Sequence, residues 1–326
     1  MKRVIKVGFS DFWPEFKENQ NFIMDALTSN YEVIISNEPD YLFYSCFGRQ
    51  YLKHDCIRIF FIGEDLQPDF NLCDYSIGFS HMVFGERYIR FPLYHIYEQD
   101  CLMAEQKHLI SDTEIDNKSR FCNFIYSNTK ANPFRGMFFD SLNIYKRVDS
   151  GGKYKNNLGF RVDNKLDFQR MYKFSIAFEN NSSEGYTTEK ILQAFAAGTI
   201  PIYWGDPRIG EEFNERAFIN CHRFETIEAI IDQIKTIDGN DNLLRQMLRE
   251  PAFVKDRRET KRDLEDFLRN LIDKPYEEAF KRSRHAAGRD YETLQQQMSK
   301  IIDNPVLRGS YRILKRIKVI LMKRDL

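Results

Sequence analysis

The chain has 326 residues, a length that suits two domains of ordinary size. Lysine and arginine together number 48, as do aspartate and glutamate, so no global field favours nucleic acid and that partner is excluded. No uninterrupted apolar run approaches the ~20 residues of a spanning helix. The high aromatic share has two uses, core packing or the lining of a carbohydrate pocket. Cys46, Cys56, Cys73, Cys101, Cys122 and Cys221 are scattered and never form C-x-x-C, so they read as reduced, mostly buried thiols of a cytoplasmic protein. The opening MKRVIKVGF lacks the long apolar stretch of a signal peptide.

In chain order, Arg3 to Phe9 is a strand-like run and Glu15 to Leu27 reads as helix. Val33 to Ile35, Tyr41 to Ser45, Ile57 to Ile62 and Tyr75 to Phe79 are further strands. This alternation predicts an N-terminal α/β domain over 1–115. The polar stretch from Glu105 to Lys118 is a linker. Phe121 to Tyr126 opens a second α/β domain, Pro133 to Arg147 reads as helix, and Gly151 to Gly159 reads as loop. Phe218 to Cys221 and a helix from Thr226 to Ile237 complete its sheet. The charged, helical stretch from Asn242 to Gln297 is grouped with this domain, giving it residues 116–298, and 299–326 form a tail.

The segment FENNSSEGYTTEKILQAFAAGTIPIYWGDP, from Phe178 to Pro207, reads as one structural unit. Phe174 to Phe178 is a buried strand. Thr187 or Thr188 caps a helix whose first turn holds Glu189 and Lys190. Ile191, Leu192, Phe195 and Ala196 follow at helical spacing, Gly198 ends the helix, and Ile200 to Trp204 is the next strand. The polar loop therefore falls beyond the carboxyl end of a strand and at a helix N-terminus, where open α/β sheets bind anionic ligands.

This ordered set resembles the signature of the bacterial α-1,3-fucosyltransferases. The residues that carry it are Phe178-Glu179-Asn180, then Gly185-Tyr186-Thr187-Thr188-Glu189-Lys190-Ile191, then Ile200 to Gly205. It extends upstream through Gly151-Gly152, Asn157 to Gly159 and Tyr172 to Phe174. A second block comprises Phe61 to Glu64, Pro68 to Asn71, Asp74-Tyr75 and Gly78-Phe79. The resemblance is strong from about Ile57 to about Cys221. It implies α/β architecture of the GT-B kind, two Rossmann-like domains facing a cleft, followed here by a helical C-terminal tail. It also implies transfer of L-fucose from GDP-fucose, with inversion, to an N-acetylglucosamine hydroxyl of a galactose-containing oligosaccharide or glycolipid. The readings left open beside it are another nucleotide sugar and a non-catalytic sugar-nucleotide-binding module.

Several residues are candidates for this chemistry. Glu64 directly follows an apolar strand ending at Ile62-Gly63, so its carboxylate should emerge at the cleft edge; the resemblance makes it the general base, although Asp65 stands where the family has Asn. Arg135, just after Asn132-Pro133, sits where a guanidinium can grip a phosphate in two places. Lys190 lies in the first turn of a helix, where a cation opposes the macrodipole and makes sense if an anion sits there. The resemblance assigns donor contacts to Asn180, Tyr186 and Glu189. Glu179 is a second, lesser carboxylate. No D-x-D and no His pair at metal spacing occurs, and His54, His81, His95, His108, His222 and His285 are dispersed, so no metal and no cofactor are expected.

At the C-terminus, Ile313, Leu314, Ile317, Ile320 and Leu321 share one helical face, with Arg312, Lys315, Arg316, Lys318 and Lys323 outside it. This basic amphipathic pattern fits an anionic membrane surface, which would make the protein peripheral on the inner face; the alternative is a helix packed on the protein itself.

Overall fold

The structure, a computed structural model, describes residues 2–304. The chain forms two compact units, each built on its own sheet.

Of the described residues, the first unit takes 2–78, 84–89 and 264–304. Its strands are β1 (Arg3–Ser10), β2 (Tyr31–Ile35), β3 (Tyr41–Tyr44), β4 (Ile57–Phe61), β5 (Tyr75–Gly78) and β6 (Tyr88–Arg90), in the order β2-β1-β3-β4-β5-β6. Pairing is parallel from β2 through β5. β3 and β4 are buried along their whole length, as the apolar runs demand of strands covered on both faces. The expected helix over Glu15 to Leu27 is shorter, Phe22–Thr28, because the Asn21 side chain accepts from the backbone N–H groups of Ile23 and Met24 and fixes the start there.

The first unit also claims the C-terminal helices expected to follow the second domain. Tyr31 Oη donates to Asp273 at 2.8 Å, and Arg58, buried within β4, donates to Glu292 at 2.6 Å. Asp74 is fully buried and accepts from the backbone N–H groups of Arg58, Lys281 and Arg282 and from the Arg282 guanidinium. These long-range polar bonds carry no signal in a local pattern. The expected tail begins inside the helix Ala286–Asp303, and its amphipathic part, 305–326, lies outside the described residues.

The second unit takes residues 79–83 and 90–263. Its strands are β7 (Arg120–Phe124), β8 (Val148–Ser150), β9 (Tyr172–Phe178), β10 (Ile200–Trp204) and β11 (Ile219–Asn220), all parallel, in the order β11-β10-β9-β7-β8. The chain leaves β7 toward one edge and returns to start β9 on its other side, so the strand order reverses between β7 and β9. A crevice at the carboxyl ends of such a pair is the usual ligand site of an open parallel sheet. The expected linker is instead ordered into this unit, with a short helix, Asp112–Asp116, begun by a capping box of Ser111 and Glu114.

Candidate functional site

The helix Glu189–Ala196 fills the crossover from β9 to β10. Ile191, Leu192, Ala194 and Phe195 are buried, and the three larger side chains contribute roughly 1.5–3 kcal/mol each. Its N-terminus is fixed by a residue outside the helix. Thr188 is the N-cap residue but its hydroxyl makes no capping bond; it points to Glu179. Glu179, the first residue after β9, is completely buried. Its carboxylate accepts from Thr188 N at 2.8 Å and from Lys190 Nζ at 2.9 Å.

Lys190 therefore meets an anion, as its position in the first turn demanded, but the anion belongs to the chain. Besides Glu179, its ammonium reaches Thr188 Oγ1 at 2.7 Å and Glu189 at 3.4 Å. Burial alone would lower its pKa, but Glu179 and then Glu189 outweigh burial and raise it. Burial likewise pushes the Glu189 carboxyl up, and Lys190 and then Lys165 bring it down to about 2. Lys165, unremarked in the sequence, donates to Gln193 at 2.8 Å.

Arg135 is the other cation of this edge. It lies in the first turn of the helix Phe134–Tyr145, which follows β7, and is 1 % exposed. Its Nη2 donates to the carbonyl oxygen of Phe178 and to Asn180 Oδ1, each at 3.0 Å. The guanidinium lies 4.1 Å from the Tyr126 ring centroid. Nε and Nη1 are buried without a hydrogen-bond partner. A cation in a first helical turn opposes the macrodipole, and orphaned buried donors cost about 1–3 kcal/mol each. Arg135 and Asn180 thus close the crevice between β7 and β9 with unspent hydrogen-bonding capacity.

The loop from Asn180 to Thr188 is held by Asp206, one residue past Gly205. Asp206 accepts from Gly185 N and Arg208 N, both at 2.8 Å, and from the Thr187 hydroxyl at 3.4 Å. Gly185 has φ +81°, and a Cβ there would stand 2.3 Å from the Phe79 carbonyl oxygen, so no other residue fits. Tyr186 is 1 % exposed, its ring 5.1 Å from that of Phe79, so it shapes the loop from within. Asp206 lies in the quoted segment one residue past the signature, and nothing in its local spacing announced a clamp reaching back 21 residues.

The structure thus gathers Arg135, Asn180, Tyr186, Glu189 and Lys190 on one loop-and-helix edge of the second unit. Glu64 belongs to the first unit, exposed in a bend just beyond β4. Among the described residues no group of three or more His, Cys, Asp or Glu side chains is placed to hold a metal ion.

Two Rossmann-like sheets in succession, the second with an anion-ready carboxyl edge, are the architecture of the GT-B glycosyltransferases. Solved structures agree. A crystal structure of an α1,3-fucosyltransferase matches with a TM-score of 0.74 and 29 % identity, covering 84 % of this chain and 92 % of that one. The form solved with GDP-fucose matches at 0.72 and 27 %, covering 85 % and 93 %. Residues 7–97 match the α-(1,3)-fucosyltransferase FucT N-terminal domain, and 115–267 match the glycosyltransferase family 10 (fucosyltransferase) C-terminal domain. The chain belongs to glycosyltransferase family 10, the fucosyltransferases. It is 33 % identical over 286 residues to the α-(1,3)-fucosyltransferase FucT of Helicobacter pylori, an alignment covering 76 % of this chain and 60 % of that protein's length.

Proposed function

We propose that the protein transfers L-fucose from GDP-fucose, with inversion, to an N-acetylglucosamine hydroxyl of a galactose-containing glycan, forming an α-1,3 linkage. The observation that carries this reading is the buried Arg135, with two guanidinium nitrogens unpartnered, beside Asn180 at the strand-order reversal of a family 10 chain. A diphosphate offers the acceptors those groups lack. Both nitrogens are covered in the structure, so the loop after β9 moves when the diphosphate enters. Lys190 adds its charge, giving up the 3.4 Å contact to Glu189 rather than the shorter one to Glu179. Asn180 and Glu189 orient the donor directly, and Tyr186 does so through the course of the loop.

In the reaction, Glu64 takes the proton of the acceptor hydroxyl while its oxygen bonds to the anomeric carbon of fucose. The bond from that carbon to the β-phosphate oxygen breaks, and the electron pair leaves on GDP. Arg135 and Lys190 stabilise the charge that grows there, a task preorganised cations perform without a metal. The tail adds attachment to an anionic membrane from the cytoplasmic side. The experiment is product analysis with GDP-fucose and a small glycan panel, with and without excess EDTA. An α-1,3-fucosylated product formed equally in both is the expected result. Turnover only with a different nucleotide sugar, or none with any, would overturn the reading.

A further inference from the structure

Transfer needs an acceptor sugar held beside Glu64, and the first unit carries a surface suited to that task. We propose that Trp13 and Phe47, backed by Phe12 and Phe16, form a stacking platform for the galactose residue of the acceptor. The inference rests on the proposed fucosyl transfer to a galactose-containing glycan.

The platform stands at the carboxyl edge of the first sheet. Phe12, Trp13 and Phe16 follow β1, and Phe47 follows β3. Phe12 and Phe16 stack with centroids 3.9 Å apart and 15° between planes. Trp13 stands edge-on to Phe12, Phe16 and Phe47, at 5.7, 5.3 and 6.3 Å. The neighbouring rings Phe43 and Phe61 are fully buried and serve the core, but Phe12, Trp13 and Phe16 are only half-buried and Phe47 is 47 % exposed. Together they leave part of their ring surface open to solvent at this edge.

Its place beside the candidate base is fixed by Gly63. A Cβ on Gly63 would lie 2.9 Å from Phe47 Cε2, so the Phe47 ring rests against the residue immediately before Glu64. The loops that carry the rings are fastened to each other. Asp11 accepts from Gln50 N at 2.9 Å and Tyr51 N at 2.8 Å, and Phe47 N donates to the Asp11 carbonyl oxygen at 3.0 Å. Asp11 holds φ +59°, a left-handed conformation that aspartate adopts more readily than most residues and that suits the turn out of β1.

The occupant follows from the chemistry of the surface. The ring faces are electron-rich and apolar, so they suit a sugar face made of polarised C–H bonds. The axial 4-hydroxyl of galactose leaves one face of its ring with a continuous patch of such bonds. Glu64, next to the platform, is then in reach of the adjoining N-acetylglucosamine hydroxyl.

The chain has two tryptophans, so a Trp204→Phe background leaves Trp13 as sole reporter. Titration of that variant with N-acetyllactosamine in the presence of GDP should shift its emission saturably, and N-acetylglucosamine alone should not. In transfer assays, Phe47→Ala and Trp13→Ala should each raise the acceptor KM about tenfold while kcat and the GDP-fucose KM hold. Phe47→Leu, which keeps apolar bulk, guards against loss of fold and should fall between. Silent Trp13 emission with unchanged acceptor KM in folded variants overturns the platform. If another nucleotide sugar proves to be the donor, the KM comparison is made with that donor. If none is transferred, the emission titration alone decides, so failure of the donor reading and failure of the platform remain distinguishable.

Discussion

Two carboxylates of the two units stand in opposite surroundings, Glu64 exposed on the first and Glu179 fully buried in the second. On the proposed mechanism, replacing Glu64 by Gln should cut turnover by ~10²–10⁴ while GDP-fucose affinity, measured by calorimetry, is retained, because only the proposed proton acceptor is lost. Glu179 has the opposite character: it is a carboxylate inside the protein whose partners are Thr188 and Lys190. Lys190→Met should therefore weaken GDP binding and also destabilise the fold by about 3–5 kcal/mol, because it strands a buried charge. Adding Glu179→Gln should restore most of the stability in urea unfolding without restoring GDP affinity. Recovery of both would mean that Lys190 serves only the fold. Glu189 gives a pH signature. Its folded-state pKa of about 2 lies below the unfolded value of about 4.3, so it stabilises the protein above that value and loses this as pH falls toward 2. Glu189→Gln should be less stable than the parent at pH 7, and the gap in urea midpoint should close between pH 4 and pH 2.

At the level of elements, the loop between β9 and the helix Glu189–Ala196 is set by Gly185 and Asp206. Gly185→Ala forces a positive-φ position and a clash with the Phe79 carbonyl oxygen, so GDP affinity should fall by about 1–3 kcal/mol as the loop is displaced, with little change in overall helicity by circular dichroism. This stretch was legible in sequence because each part carries a local mark. The apolar run of β9, the polar break, the helical spacing of Ile191, Leu192 and Phe195, and Ile200 to Trp204 all fall where they were expected. β8 has three residues and the helix Lys165–Arg170 has six, too few for a period to show, so both went unassigned. β6 is a three-residue edge strand and was missed for the same reason. Arg135 and Lys190 were recognisable as cations at helix starts. Their partners were not, since Glu179 lies 11 residues from Lys190 and Asn180 lies 45 from Arg135.

In the whole molecule, the resemblance to family 10 was readable from short motifs, whereas the division of the chain was not. Charged helices after Asn242 look alike whichever sheet they cover. What fastens residues 264–304 to the first unit is burial of ionic groups: Arg282 on Asp74 and Glu292 on Arg58. Arg282→Met should cost about 3–5 kcal/mol in urea unfolding, since Asp74 would remain buried without its counter-charge. Asp74→Asn in the same chain should recover part of that loss, because both charges are then gone. Near-parental stability of the single variant would show that these helices are not fastened to the sheet as described.

That fastening has a consequence for the order in which the protein is made. Translation delivers β1 to β5 before the second unit, yet Asp273, Arg282 and Glu292, which complete their surroundings, emerge only after it. The second unit is almost continuous, from 90 to 263, and is whole before those residues leave the ribosome. The usual vectorial rule, amino-terminal domain first, is therefore inverted here. The earliest-made sheet waits for its closing helices, so a nascent chain stalled near residue 263 should protect the second unit from protease and leave the first open to cleavage.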